Sequence, residues 1–91
     1  MFANQSTQSP TQQRPVRARL DLTLRQAYLD AERVLSMLRT CSYDLDRMEL
    51  LPPRKCHIWV RTQPGELGML RTRLERLPGV TVDGGARWTP H

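Results

Sequence analysis

From Val16 to Leu24 the chain alternates without a break. Val16, Ala18, Leu20, Leu22 and Leu24 share one parity, and Arg17, Arg19, Asp21 and Thr23 hold the other. A period of two is the mark of a β-strand with one apolar and one polar face. Such a strand cannot cover its own apolar face, so the chain that follows must do so. The period then changes: Ala31, Val34, Leu35, Leu38 and Cys41 recur at helical spacing and form a stripe that lies back on the strand. Asp30 reads as the N-cap, Glu32 suits the first turn and Arg39 the last, which predicts a helix over Ala31–Thr40. Ser42-Tyr43-Asp44 turns the chain into a second strand over Leu45–Leu51. There Leu45 and Leu51 share a parity that Met48 and Leu50 do not, which leaves a bulge open.

Pro52-Pro53 ends that strand and Arg54-Lys55 reverses the chain. Cys56, Ile58, Val60 and Thr62 then alternate with Lys55, His57, Trp59 and Arg61, so a third strand pairs antiparallel with the second across a short hairpin. Pro64 suits the start of a second helix whose stripe is Leu67, Leu70, Leu74 and Leu77, with Arg71, Arg73, Glu75 and Arg76 turned away. Pro78-Gly79 stops it, Val80–Asp83 is a short last strand, and Gly84-Gly85 releases a tail that carries Trp88. The order β-α-β-β-α-β with right-handed crossovers predicts an α+β, ferredoxin-like sandwich: a four-stranded antiparallel sheet with both helices on one face. Residues 1–15 are expected to be a disordered tail, 16–85 the domain and 86–91 a C-terminal tail. The second sheet face is left uncovered. It receives Arg17, Arg19 and Asp21 from the first strand and His57, Trp59 and Arg61 from the third, and a large aromatic there marks a dimer or partner face.

With 91 residues the chain supports one domain, too small to bury much surface, so self-association is the default expectation. The net charge of +5 comes from 14 basic and 9 acidic residues with no dense cluster, which favours a solvated surface over a nucleic-acid site. Cys41 and Cys56 fall in apolar phases and read as buried thiols. The N-terminal stretch has neither a basic start nor an apolar core, and no segment has membrane-spanning length, so a cytoplasmic protein is expected. No catalytic or metal-binding constellation emerges. His57 reads as a strand residue and His91 is the last residue of the sequence. Asp44 and Asp46 read as turn chemistry, and Met37, Met48 and Met69 as core fillers.

Two stretches carry a resemblance. ERVLSMLRTCSYDLDRMELLP and LRTRLERLPGVTVDGG resemble the helix-turn-strand units of ACT domains, above all those of the small regulatory subunits of acetohydroxyacid (acetolactate) synthase. Glu32-Arg33-Val34-Leu35, Tyr43, and the apolar positions Leu70, Leu74, Leu77, Val80 and Val82 carry it, over residues 16–85. The resemblance implies a non-catalytic subunit that forms a homodimer and binds the catalytic large subunit. That subunit holds thiamine diphosphate, Mg and FAD, whereas no cofactor is implied in this chain. ACT pairs often bind a branched-chain amino acid at a glycine-containing turn after the first strand. Here that segment reads Leu24-Arg25-Gln26-Ala27-Tyr28-Leu29, without glycine. Arg25, Gln26 and Tyr28 are therefore expected to form a degenerate effector loop, as in the type of subunit that activates the enzyme and responds poorly to valine.

Two other classes share the element order. RNA-recognition modules stack bases on aromatics of the two central strands, and this chain offers Trp59 on the third strand and none on the first. A stand-alone amino-acid-sensing dimer would need the glycine turn.

Overall fold

The computed structural model describes residues 15–83 and the backbone of residues 87–89. All of the expected N-terminal tail except Pro15, and the Gly84-Gly85 exit, lie outside the described residues. The elements are β1 (Val16–Leu24), α1 (Ala27–Thr40), β2 (Asp44–Leu51), β3 (Lys55–Thr62), a 3-10 turn (Pro64–Glu66), α2 (Leu67–Glu75), β4 (Val80–Val82) and β5 (Arg87–Thr89). The sheet order is β2-β3-β1-β4 with every pairing antiparallel, the ferredoxin-like arrangement expected from the order of elements.

β1 and β3 are central, and each buries an alternating run, Ala18 to Leu24 and Cys56 to Val60. Leu20 pairs with Ile58, Leu22 with Cys56 and Ala18 with Val60, all fully buried. Val34 and Leu38 of α1 and Leu70 and Leu74 of α2 cover them. Removing a Leu, Ile or Val side chain from water contributes about 1.5–3 kcal/mol each, so this single layer of contacts is the main source of stability in so small a domain.

β2 is bulged. Leu45 lies opposite Val60 and Arg47 opposite Trp59, so Asp46 is the extra residue between them. The bulge reconciles the mixed parity of the strand: Leu45, Met48 and Leu50 all pack against the core, while Arg47 and Glu49 take the open face opposite Trp59 and His57.

Four expectations are corrected. α1 starts at Ala27 rather than Ala31, with Gln26 at the N-cap. Asp30 is therefore not the cap. It sits on the fourth helical residue and reaches back, so that the Gln26 N–H donates to its carboxylate at 2.7 Å. The second helix opens with the 3-10 turn at Pro64 and ends at Glu75, leaving Leu77 outside the helix although it still packs on the core. Met69 is 50% exposed, since Leu67, Leu70 and Leu74 define the buried stripe and position 69 falls off it. Finally, part of the expected C-terminal tail is a strand. β5 pairs Arg87–Thr89 with Arg17–Arg19, on the side of β1 that β4 lines further along. Between the two pairings the outer chain advances from Val82 to Arg87 while β1 moves only from Leu22 to Arg19. Among the described residues, no helix is long and apolar enough to cross a membrane.

Candidate functional site

The open face of the sheet gathers the residues expected there. Trp59, half-buried at the middle of β3, has three guanidinium groups against its ring: Arg47 at 5.0 Å, Arg19 at 5.8 Å and Arg17 at 5.9 Å from the centroid. Each contact is of the cation–π kind, worth about 0.5–1 kcal/mol at such sites. His57 meets the indole edge-on, with centroids 6.0 Å apart and the planes at 83°. Cross-strand register explains the grouping, because Arg19 and Arg47 are the direct neighbours of Trp59 on β1 and β2.

Carboxylates interleave with these cations. Arg17 Nε lies 2.8 Å from Asp46, which also stands 3.9 Å from Arg61. Arg19 donates to Asp21 at 2.8 Å, a bond that holds its guanidinium above the ordinary value. Arg47 donates to Glu49 at 3.2 Å. His57 sits between Asp21, 3.6 Å from Nε2, and Glu49, 3.8 Å from Nδ1. Every arginine around Trp59 thus has an acidic neighbour. The face is an aromatic centre in a charge-balanced lattice, not a cationic track. A nucleic-acid surface relies on an excess of cations to displace counterions, whereas balanced charge around an aromatic suits a protein partner.

At one end of this face, three strands are tied by Thr23, Lys55 and Asp83. The Thr23 hydroxyl donates to the Asp83 carboxylate at 2.7 Å, and Lys55 Nζ donates to Thr23 Oγ1 at 2.8 Å and to Asp83 Oδ2 at 3.0 Å. The bond from Thr23, with Lys55 adding to it, lowers the Asp83 pKa below its ordinary 3.8. A carboxyl group whose pKa is depressed by folding stabilises above its unfolded value and loses that contribution as pH falls through the folded one. Asp83→Asn is therefore expected to melt below the wild type at pH 7, with the gap closing as pH drops below 3.8. Thermal melts from pH 7 to 3 check this; a gap that stays constant through the acid range would contradict it.

The corner between β1 and α1 is organised differently from the expected effector loop. Arg25 and Gln26 are exposed and border a crevice of about 260 Å³ with Pro78 and Gly79. Tyr28, 80% exposed, borders a separate crevice of about 160 Å³ with Pro52 and Pro53. The three residues do not line one cavity. Beside them Asp30, 1% exposed, accepts the Gln26 N–H and a 3.0 Å bond from Arg33. A carboxylate of the chain itself thus sits at the helix N-terminus, where backbone donors and the helix dipole favour an anion.

Burial pushes the Cys56 thiol up to about 11, so it stays protonated and unreactive. Cys41 is only half-buried and accepts a 2.7 Å bond from Arg73, which is itself half-buried rather than turned away. Among the described residues, no group of three His, Cys, Asp or Glu side chains could hold a metal ion.

No family model, curated protein or solved structure matches this chain. Arg17, Arg19, His57 and Trp59 are brought together as expected. Asp46, Arg47 and Glu49 join them unexpectedly; the parity break in β2 signals a bulge, and only the pairing with β3 places these residues.

Proposed function

We propose that the chain is a non-catalytic, ACT-like regulatory subunit that docks on the catalytic subunit of acetohydroxyacid synthase and activates it. The observation that carries this reading is the charge-balanced sheet face centred on Trp59, which no helix among the described residues covers. An antiparallel sheet tolerates one solvated face, but a tryptophan at its middle is costly to leave wet and suits an interface core. Activation is conformational: the face holds mobile segments of the partner in a competent arrangement, and thiamine diphosphate, Mg and FAD belong to that partner. The seated carboxylate of Asp30 and the split of Arg25 and Gln26 from Tyr28 support a subunit that does not respond to valine, since the anion position at the helix N-terminus is already filled.

In the absence of the catalytic subunit the same face pairs with a second copy of the chain. Trp59→Glu places a carboxylate among Arg17, Arg19 and Arg47 and removes the aromatic anchor, so the fold is retained and the interface lost. The loss of a central tryptophan weakens association by about 2 kcal/mol or more, roughly thirtyfold. Light scattering is expected to give a dimer mass for the wild type and a monomer mass for the variant; an unchanged mass would refute the assignment.

A further inference from the structure

Most basic side chains of this domain are neutralised locally. Among the described side chains, Arg17, Arg19, Arg47, Lys55 and Arg61 on the open sheet face each lie within 4.0 Å of a carboxylate, as do Arg33 and Arg71 on the helices. Arg73 donates to Cys41, while Arg39 and Arg76 sit at helix C-termini, where the dipole favours a cation. Among the described residues two arginines remain. Arg25 and Arg54, both exposed, have no acidic partner among the described residues, and both line one crevice of about 340 Å³.

The backbone sets this convergence. The Leu24 N–H donates to the Arg54 carbonyl at 2.7 Å, which fastens the β2–β3 turn to the end of β1. The Arg25 N–H donates to the Gly79 carbonyl at 2.8 Å, which fastens the α2–β4 turn to the same point. Three turns are thus pinned together with two like charges beside them. Thr81 and Gly79 complete the lining with Thr23, Leu24 and Val80. Two arginines without a carboxylate partner border this one small crevice, and an anion seated there gains from both. A guanidinium fork matches the oxygens of a phosphate, and the volume admits only a small ligand.

We propose that this crevice, formed by Arg25, Arg54, Gly79 and Thr81 at one end of the sheet, is a binding site for a small phosphate-type dianion. The site lies apart from Trp59, and the inference does not rest on the regulatory reading.

The test is a titration of the 15N-labelled full chain with inorganic phosphate at pH 7, with total ionic strength held constant by sodium chloride. Saturable shifts are expected at the amides of Arg25, Arg54, Gly79 and Thr81. Arg25→Gln and Arg54→Gln are each expected to weaken binding about tenfold, the usual effect of losing one charge-assisted hydrogen bond, and the double variant to abolish saturation. Both substitutions leave the pinning backbone bonds in place, and melting in phosphate-free buffer checks that the fold is intact. Linear shifts spread equally over Arg39 and Arg76, or an unchanged response in the folded double variant, would overturn the proposal.

Discussion

Replacing Asp30 by alanine is expected to destabilise the domain by about 2–3 kcal/mol, the combined effect of losing a helix-start hydrogen bond and a second, charge-assisted one. In a domain of this size that lowers the melting temperature by about 10–20 °C. The cause is specific. Asp30 is the one buried charged residue among those described, and its two carboxylate oxygens each take a hydrogen bond from the first turns of α1. Oδ2 takes the Gln26 N–H at the helix start, and Oδ1 takes Arg33, which also approaches the Pro78 carbonyl at 3.5 Å. Alanine leaves the helix start open and Arg33 without its partner. Asparagine retains an acceptor for Gln26 and is expected to lose only about half as much, since the charged hydrogen bond to Arg33 is the larger share. Thermal or urea unfolding of the three proteins checks the order; an Asp30→Ala variant within 0.5 kcal/mol or so of the wild type would show a merely local surface role.

Gly79→Ala is expected to cost about 3 kcal/mol by two separable routes. Gly79 has φ of 81°, a left-handed conformation that costs an alanine about 1 kcal/mol or more. A Cβ there would also lie 2.5 Å from Asp30 Oδ2 and 2.9 Å from both Cγ and Oδ1, a collision worth about 1–3 kcal/mol when the neighbour is a fixed, buried group. The two routes part in the double variant. With Asp30 already alanine the collision is gone and only the backbone cost remains, so the paired substitutions are expected to fall short of additivity by about 1–2 kcal/mol. Full additivity in a double-mutant cycle would contradict the packing of the α2–β4 turn on Asp30.

Strict alternation is why β1 and β3 could be read from sequence to the residue: every second side chain is buried from Ala18 to Leu24 and from Cys56 to Val60, and nothing interrupts the period. The bulge in β2 left a trace as well, in the differing parities of Leu45 and Met48. Where it lies was not legible, because placing the extra residue at Asp46 depends on the pairing with β3. Arg47 and Glu49 could not be assigned to the Trp59 face for the same reason. The start of α1 was misjudged because an aspartate just ahead of an apolar stripe resembles an N-cap. The true first turn contains Tyr28 and Leu29, both exposed, so it carries no stripe to announce it. β5 was hidden behind Gly84-Gly85, a pair that reads as an exit from a fold. The clustering of Arg25 with Arg54 arises from backbone bonds between distant turns, which no local pattern encodes.

These features divide the domain by role. The helical side and the Asp30–Gly79 contact hold the fold together, and the open sheet face is the surface proposed for a partner. The chain's own carboxylate sits at the start of α1, and an adjoining crevice bordered by Arg25 and Arg54 lies at the sheet end. The most direct measurement of the central claim is acetolactate formation by a catalytic acetohydroxyacid synthase subunit with and without this chain. The account predicts a clear rise in rate that valine does not reverse and that Trp59→Glu abolishes. An unchanged rate with the wild-type chain, together with a salt-sensitive shift of an RNA probe, would contradict it and assign the open face to nucleic acid.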